Sequence, residues 1–244
     1  MSKERDKAAS RGANEGRKGD GWKSNLLTIG GALLLALFIR ITLFEAFAID
    51  GPSMEPSLLD GDRVVVAKYP FGLFLPFTHE AVVNWGGPDP GDIIILHSPA
   101  DNEDIVKRVI AVGGDEIVIR DGTISRNGET LQTSELGPCD EDEQRSIDPT
   151  CRVYTEVLEG TPHRISHSKH DFPLDRLPLK VPEGHVYVLG DHRDSSNDSR
   201  NPLIGAVPNS RIKGKALFID MSWKNTPGSL LDRIRWSRVG SAVD

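Results

Sequence analysis

The chain has 244 residues, with 29 Lys or Arg against 36 Asp or Glu, 24 Gly, 16 Pro and two cysteines. That length suits one large domain or a domain carrying a smaller embedded one, and the Gly and Pro content favours turns and short strands over long helices. From Ile41 onward 21 basic residues face 32 acidic ones, a net charge of about −11, which excludes nucleic acid as a partner because phosphate contacts need a basic surface.

Residues 1–24 read as a polar, disordered tail without apolar periodicity, and Met1–Lys23 carries seven Lys or Arg and four acids. Residues 25–44 are expected to form one transmembrane helix. There is no charge from Leu26 to Ile39, and continuing past Arg40 to Phe44 gives a helix of about 30 Å, the thickness of a bilayer's hydrocarbon. Arg40 lies near the end, where its side chain can reach the headgroups. The basic cluster precedes the helix, so the positive-inside bias places the tail in the cytoplasm and the acidic body outside. A basic stretch, an apolar run and Ala46-Phe47-Ala48 also describe a cleavable leader.

The body reads as mainly antiparallel β. "DRVVVAKY" (62–69), "GDIIILHS" (91–98), "HVYVLG" (185–190) and "KALFIDMSW" (215–223) are strand-like, and the 105–131 stretch has hairpin signals at Asp121-Gly122 and Asn127-Gly128. "KYPFGLFLPF" (68–77) is an apolar stretch whose default is core, with a membrane-dipping loop as the alternative. Between 121 and 182 charges, prolines and both cysteines gather, and the expectation is a small β subdomain inserted into a catalytic body of 45–120 and 183–222, followed by a tail at 223–244. The insertion is expected to carry no chemistry. Cys139 and Cys151 have neither a CxxC partner nor His at zinc spacing, so no metal is expected. They can form a disulfide in an oxidising compartment or remain two thiols in a reducing one.

Ser53, in "IDGPSMEPSLLDGDRVVV", sits in a turn held by Pro52 and Pro56. By itself it is indistinguishable from an ordinary loop serine, because a hydroxyl becomes a nucleophile only beside a base. None of the seven histidines stands in a recognisable triad context. A lysine kept neutral by burial is another such base, and Lys107 in "DIVKRVIAV" is the candidate. Alternation puts it on one strand face with Ile105, Val109 and Ala111. "GDHRDSSNDSR" (190–200) has the density of donors and acceptors that a supporting polar network needs.

"GPSMEPSL", "GDIIIL", "KRVIAVGGDEI" and "GDHRDSSNDSR", in this order and spacing, resemble the bacterial signal peptidase I family of membrane-anchored Ser–Lys endopeptidases. The resemblance implies Ser53 as nucleophile, Lys107 as general base, and Ser196 as the serine whose hydroxyl bonds and orients the lysine amine. Asp191, Arg193, Asp198 and Arg200 match the charged network that supports the site. Phe47, Ile49, Met54, Leu58, Ile95 and Val106 match the substrate pockets. The oxyanion would be met at Ser53 and Gly51. Many relatives carry at the latter position a serine whose hydroxyl helps, and glycine offers none. The implied substrates are preproteins with small residues at the first and third positions before the cut. The lipid bilayer is the other partner, and no cofactor is implied. The implied location is the bacterial cytoplasmic membrane, spanned once, with the helix retained. Two other readings share these residues: a self-cleaving, repressor-like Ser–Lys protease, which the helix and acidic body disfavour, and an inactive anchored scaffold that binds signal peptides.

Overall fold

The computed structural model describes residues 21–74, 81–140, 148–168, 176–224, 229 and 231–243. The chain divides into two units, one ending at Ile41 and the other running from Thr42 to the C-terminus. The first is dominated by α1 (Gly21–Leu43), which is apolar all round; its Asn25–Leu43 segment has a mean hydropathy of 2.2 and none of it is buried. Such a helix has no polar face to give to water and is long enough to cross a bilayer.

The second unit is built from antiparallel strands: β1 (Phe44–Ala48), β2 (Asp62–Ala67), β3 (Gly72–Phe74), β4 (Ala81–Asn84), β5 (Ile93–His97), β6 (Asp104–Val112), β7 (Glu116–Arg120), β8 (Thr123–Arg126), β9 (Glu129–Thr130), β10 (Gln132–Pro138), β11 (Arg152–Leu158), β12 (Thr161–His167), β13 (Arg176–Lys180), β14 (His185–Leu189), β15 (Val207–Pro208) and β16 (Ile212–Ser222). Among the described residues the only helical turns after α1 are short 3₁₀ pieces at Arg193–Ser195 and Asn209–Arg211. The mainly β reading of the sequence therefore holds. Of "KYPFGLFLPF", Phe71 is buried in the core and β3 pairs with β4, while residues 75–77 lie outside the described residues.

Seven strands form the main sheet in the order β1-β2-β16-β5-β6-β14-β15. The Ile-Ile-Ile-Leu run of β5 shows why it lies near the middle. Ile93 and Ile95 pack into one apolar cluster with Ile49, Met54, Leu58, Val64 and Val106, whereas Ile94 and Leu96 pack into another with Val109, Val186 and Val188. A strand buried on both faces needs no polar alternation. In β6 the partners of Ile105 and Lys107 are Leu96 and Ile94, so these residues and Val109 share a face as alternation requires. Ala111 does not follow. The pairing with β14 slips by one residue between Tyr187 and Val188, and Ala111 packs with Ile110 in a third cluster.

That third cluster joins the main sheet to the insertion, combining Ile110, Tyr187 and Leu189 with Ile117, Ile119, Ile124 and Leu158. The insertion holds two small sheets, β13-β7-β8-β9 and β10-β11-β12. Strand pairing moves the expected boundary at 121, because β7 belongs to the small sheet. The neck lies at Gly113–Asp115 against Val181–Gly184, where Gly114 N–H donates to Val181 O and a Cβ on Gly113 would stand 2.9 Å from Glu183 Cα.

The expected tail at 223–244 is also corrected. Trp223 bridges Ile234, residues 240–243 exchange backbone hydrogen bonds with Leu217 and Ile219 of β16, and Val243 packs on the first cluster. β5 covers this edge of β16 only from Ile212 to Lys215, so the returning chain satisfies backbone groups beyond it.

Cys139 and Cys151 form a disulfide with a Cα–Cα distance of 5.4 Å. Closing this short loop limits the unfolded chain, so replacing both cysteines with serine is expected to lower stability by about 2–3 kcal/mol. The measurement is the urea midpoint of the variant against the native chain.

Candidate active site

Ser53 sits on the loop between β1 and β2. Two backbone bonds close the loop's base, Ile49 N–H to Asp62 O at 2.8 Å and Gly61 N–H to Ile49 O at 3.1 Å. Gly61 has φ +86°, and a Cβ there would stand 2.2 Å from Trp223 O, so only glycine fits. Above the base, Glu55 N–H donates to Pro52 O and Leu58 N–H to Met54 O. Met54 and Leu58 are buried while Ser53 remains half-buried, so the loop is anchored on its apolar side and offers its serine on the other.

Lys107 Nζ lies 2.9 Å from Ser53 Oγ and 2.8 Å from Val106 O. Lys107 is only 3% exposed. Burial penalises the ammonium and outweighs the pull of Asp198 and Asp191, lowering the amine from 10.5 to about 8. A hydroxyl on a fixed bend is thus in hydrogen-bond reach of an amine that gives up its proton near neutral pH.

The 190–200 loop closes over this pair. His192 N–H donates to Ser53 O at 3.2 Å. A Cβ on Gly190 would stand 2.2 Å from Ser196 Oγ and 2.3 Å from Ser53 O, so the bare glycine is what lets the two serines approach. The charges of the loop are paired. Asp191 takes a two-pronged contact from Arg108, with Nε and Nη2 each at 2.9 Å. Burial opposes the Asp191 charge, but the Arg108 guanidinium outweighs it and holds the carboxyl below its ordinary range. Asp198 accepts from Arg200 Nε at 2.8 Å and Nη2 at 2.7 Å, and from Gly190 N–H at 3.0 Å. Arg193 grips Glu156 at 2.7 and 2.5 Å. Burial opposes the Glu156 charge too, and Arg193 with His163 keeps that carboxyl well below the usual range.

Asp191, Arg193, Asp198 and Arg200 thus all lie on the loop whose backbone meets Ser53. Their partners Arg108 and Glu156 were not foreseen. Arg108 had a signal, a second charge inside an apolar strand, next to Lys107. Glu156 had none, since its strand belongs to the insertion that was expected to carry no chemistry. The insertion brings no reacting group to the site, but it holds the loop that carries Arg193. β12 also reaches the site, because Ser166 Oγ donates to Glu55 O, Ser166 N–H donates to Asp191 O, and Ser57 Oγ donates to Arg164 O.

One expected contact is not made. Ser196 Oγ is buried beside Gly190 with no hydrogen-bond partner among the described residues, so the bond to the lysine amine is absent. Gly51 N–H is occupied by Asp60 Oδ1 at 3.0 Å. Gly51 has φ +99°, where a serine would be strained, which accounts for glycine at that position. The pocket candidates Ile49, Met54, Leu58, Ile95 and Val106 all belong to one buried cluster, with Phe47 packed against it. Among the described residues no group of three or more His, Cys, Asp or Glu could hold a metal ion.

The family model for signal peptidase, peptidase S26, matches residues 22–221. The chain belongs to that family. Signal peptidase I of Pseudomonas fluorescens is 34% identical over 219 residues, covering 85% of this chain and 75% of that protein. The Pseudomonas aeruginosa signal peptidase I is 33% identical over 220 residues with the same coverage. A solved signal peptidase I from Enterococcus faecalis V583 aligns with 53% of this chain and 97% of its own, at 24% identity and a TM-score of 0.33. The chain is therefore a serine endopeptidase of the signal peptidase type.

Two measurements test the electrostatics of this peptidase. The folded Lys107 amine at about 8 lies below its unfolded value, so a buried cation destabilises the fold fully below pH 8. The penalty fades between 8 and 10.5. Lys107→Met is expected to be more stable than the native chain by about 3 kcal/mol at pH 6, with the gap closing over that window in chemical denaturation. Asp191→Ala leaves Arg108 buried without its carboxylate and is expected to lose about 3–5 kcal/mol, read from thermal and urea unfolding.

Proposed function

We propose that Ser53 and Lys107 are the dyad of a membrane-anchored signal peptidase I that removes signal peptides from exported preproteins through an acyl-enzyme. The observation that carries this reading is the 2.9 Å contact between Lys107 Nζ and Ser53 Oγ inside a site that lowers the amine to about 8. Neutral Lys107 takes the Ser53 proton as Oγ attacks the scissile carbonyl. The same amine, now an ammonium held also by Val106 O, gives its proton to the departing amino group of the mature protein. The signal peptide is left as an ester on Ser53. Lys107 then deprotonates a water, which attacks the ester, and the proton returns to Ser53 Oγ as the signal peptide leaves with a free carboxylate.

Among the described residues the Ser53 N–H has no hydrogen-bond acceptor, which suits it to meet the oxyanion. With Gly51 N–H engaged by Asp60, the anion relies on this donor. Ser196 is assigned to the amine once Ser53 Oγ is acylated and no longer holds it. Small side chains of the substrate would be received over Phe47, Ile49, Met54, Leu58, Ile95 and Val106, whose common cluster supports one shared apolar floor. α1 is the anchor, with residues 1–24 cytoplasmic and the body extracytoplasmic. The Cys139–Cys151 bond fits that oxidising side.

The test is cleavage of a preprotein carrying alanine at the first and third positions before the cut. The native chain is expected to cut it with an acid limb near pH 8, where Lys107 loses its proton. Ser53→Ala and Lys107→Arg are expected to be inert, since a guanidinium stays charged throughout. Turnover by either variant, or an intact substrate with native protein, refutes the dyad.

A further inference from the structure

The chain beyond Trp223 lies outside the span matched by the family model, yet it reaches under the nucleophile's loop. Arg238 Nη2 lies 2.6 Å from Asp62 Oδ2 and 2.8 Å from Ser57 O, and Arg238 Nε lies 3.2 Å from Asp62 Oδ2. Arg235 Nη1 donates to Asp60 O at 3.1 Å and to Trp223 O at 2.9 Å. The Asp62 side chain is fully buried. It also accepts from Leu59 N–H at 2.8 Å and from Ser222 Oγ at 2.5 Å. Asp62 is the residue whose carbonyl closes the loop's base on Ile49, and Asp60 holds Gly51. Three consecutive points of the loop, Ser57, Asp60 and Asp62, are thus tied to two arginines more than 170 positions later.

We infer that Arg238 is a positioning residue for the peptidase reaction, and that the 231–243 segment is a brace that sets Ser53 against Lys107. The inference rests on Ser53 and Lys107 being the dyad. Two features make the brace more than a covering of the sheet. The contacts of Arg238 are divided between a buried carboxylate and a main-chain carbonyl on the same loop, so it fixes the loop's shape as well as its charge. The segment's position is set independently, because residues 240–243 pair with β16 and Val243 packs against the cluster containing Met54 and Leu58. With Arg238 removed, Asp62 keeps its neutral donors and the Arg235 guanidinium 4.0 Å away but loses its nearer cation, and the Ser57 carbonyl loses its outer tie. Ser53 then shifts relative to an amine that cannot follow it, since Lys107 is held in the middle of β6. A displacement near 1 Å in a reacting pair costs on the order of 100-fold in rate.

The experiment uses the full chain in detergent micelles with a preprotein substrate. Arg238→Gln is expected to lower kcat by about 10- to 100-fold, with KM within about twofold of native because the substrate's own contacts are untouched. Its acid limb is expected to move to higher pH, since an amine no longer sealed beneath Ser53 regains water. Arg238→Lys, which keeps the charge but not the forked contact, should recover part of kcat and of the pH profile. A native kcat and pH profile in Arg238→Gln overturns the inference. So does a rise confined to KM, or a rate loss with unchanged pH profile that parallels the loss of folded protein in an unfolding curve. If Arg238→Gln does not fold, Arg238→Lys alone decides by the same readouts; failure of both to fold makes the segment a requirement of the fold and overturns a positioning role. Ser53→Ala run alongside separates the two readings: its continued activity would remove the dyad, whereas its inactivity beside native kinetics in Arg238→Gln would remove only the brace.

Discussion

Keeping an amine out of water is the constraint around which the body of this protein is arranged. An ammonium in an apolar strand is unfavourable by several kcal/mol, and the chain tolerates it at Lys107 because β6 is held on both edges and cannot move to relieve it. The surroundings carry negative charge that works against the effect. Asp191 and Asp198 both favour a protonated Lys107. Each is matched to a guanidinium, Asp191 to Arg108 and Asp198 to Arg200, and the Arg200 charge opposes the Lys107 proton. The paired charges of the 190–200 loop therefore do two things at once. They hold its backbone against Ser53, and they spend their fields on each other instead of on the amine. An apolar lining alone would give the same desolvation but would leave nothing rigid over the serine.

Much of this was legible in the sequence, for physical reasons that differ from element to element. The helix follows from an uncharged run of sufficient length. The strands of the main sheet follow from β-branched runs bounded by turns, as in Gly91-Asp92 before "IIIL". Ser53 and Lys107 were legible only together and by resemblance, since each alone passes for an ordinary loop serine or surface lysine. Contacts between distant segments were not legible. Nothing in "VYTEVLEG" marks Glu156 as the partner of Arg193, because periodicity reports which face a residue occupies and not which loop it meets. The slip that moves Ala111 to a different cluster is a one-residue irregularity in β6, where Ile110 has no partner in β14, and it is invisible to alternation. The return of the C-terminal segment was hidden by its composition, which looks like an ordinary polar end.

The glycines show the same division. Gly51 reads in sequence as a missing hydroxyl, a departure from many relatives. In the fold it is a backbone requirement, with φ +99° and its N–H held by Asp60. Gly190 looks like a turn residue after an apolar strand. It is a spacer between Ser53 and Ser196, and its role is visible only once the atoms that crowd it are known. Local pattern identifies where the backbone must bend. What presses on the bend comes from elsewhere in the chain.

The docking of β12 has a consequence for how this architecture can be taken apart. Through Glu156, Ser166 and the carbonyl of Arg164, the inserted sheets contribute groups to both the Ser53 loop and the 190–200 loop. Grafting a shorter connection between β6 and β14 would leave the buried Arg193 guanidinium without the Glu156 carboxylate that pairs with it. The excursion is therefore a third wall around Ser53 and Lys107 rather than a removable ornament. Any minimal version of the enzyme must either retain that wall or redesign the two loops that lean on it.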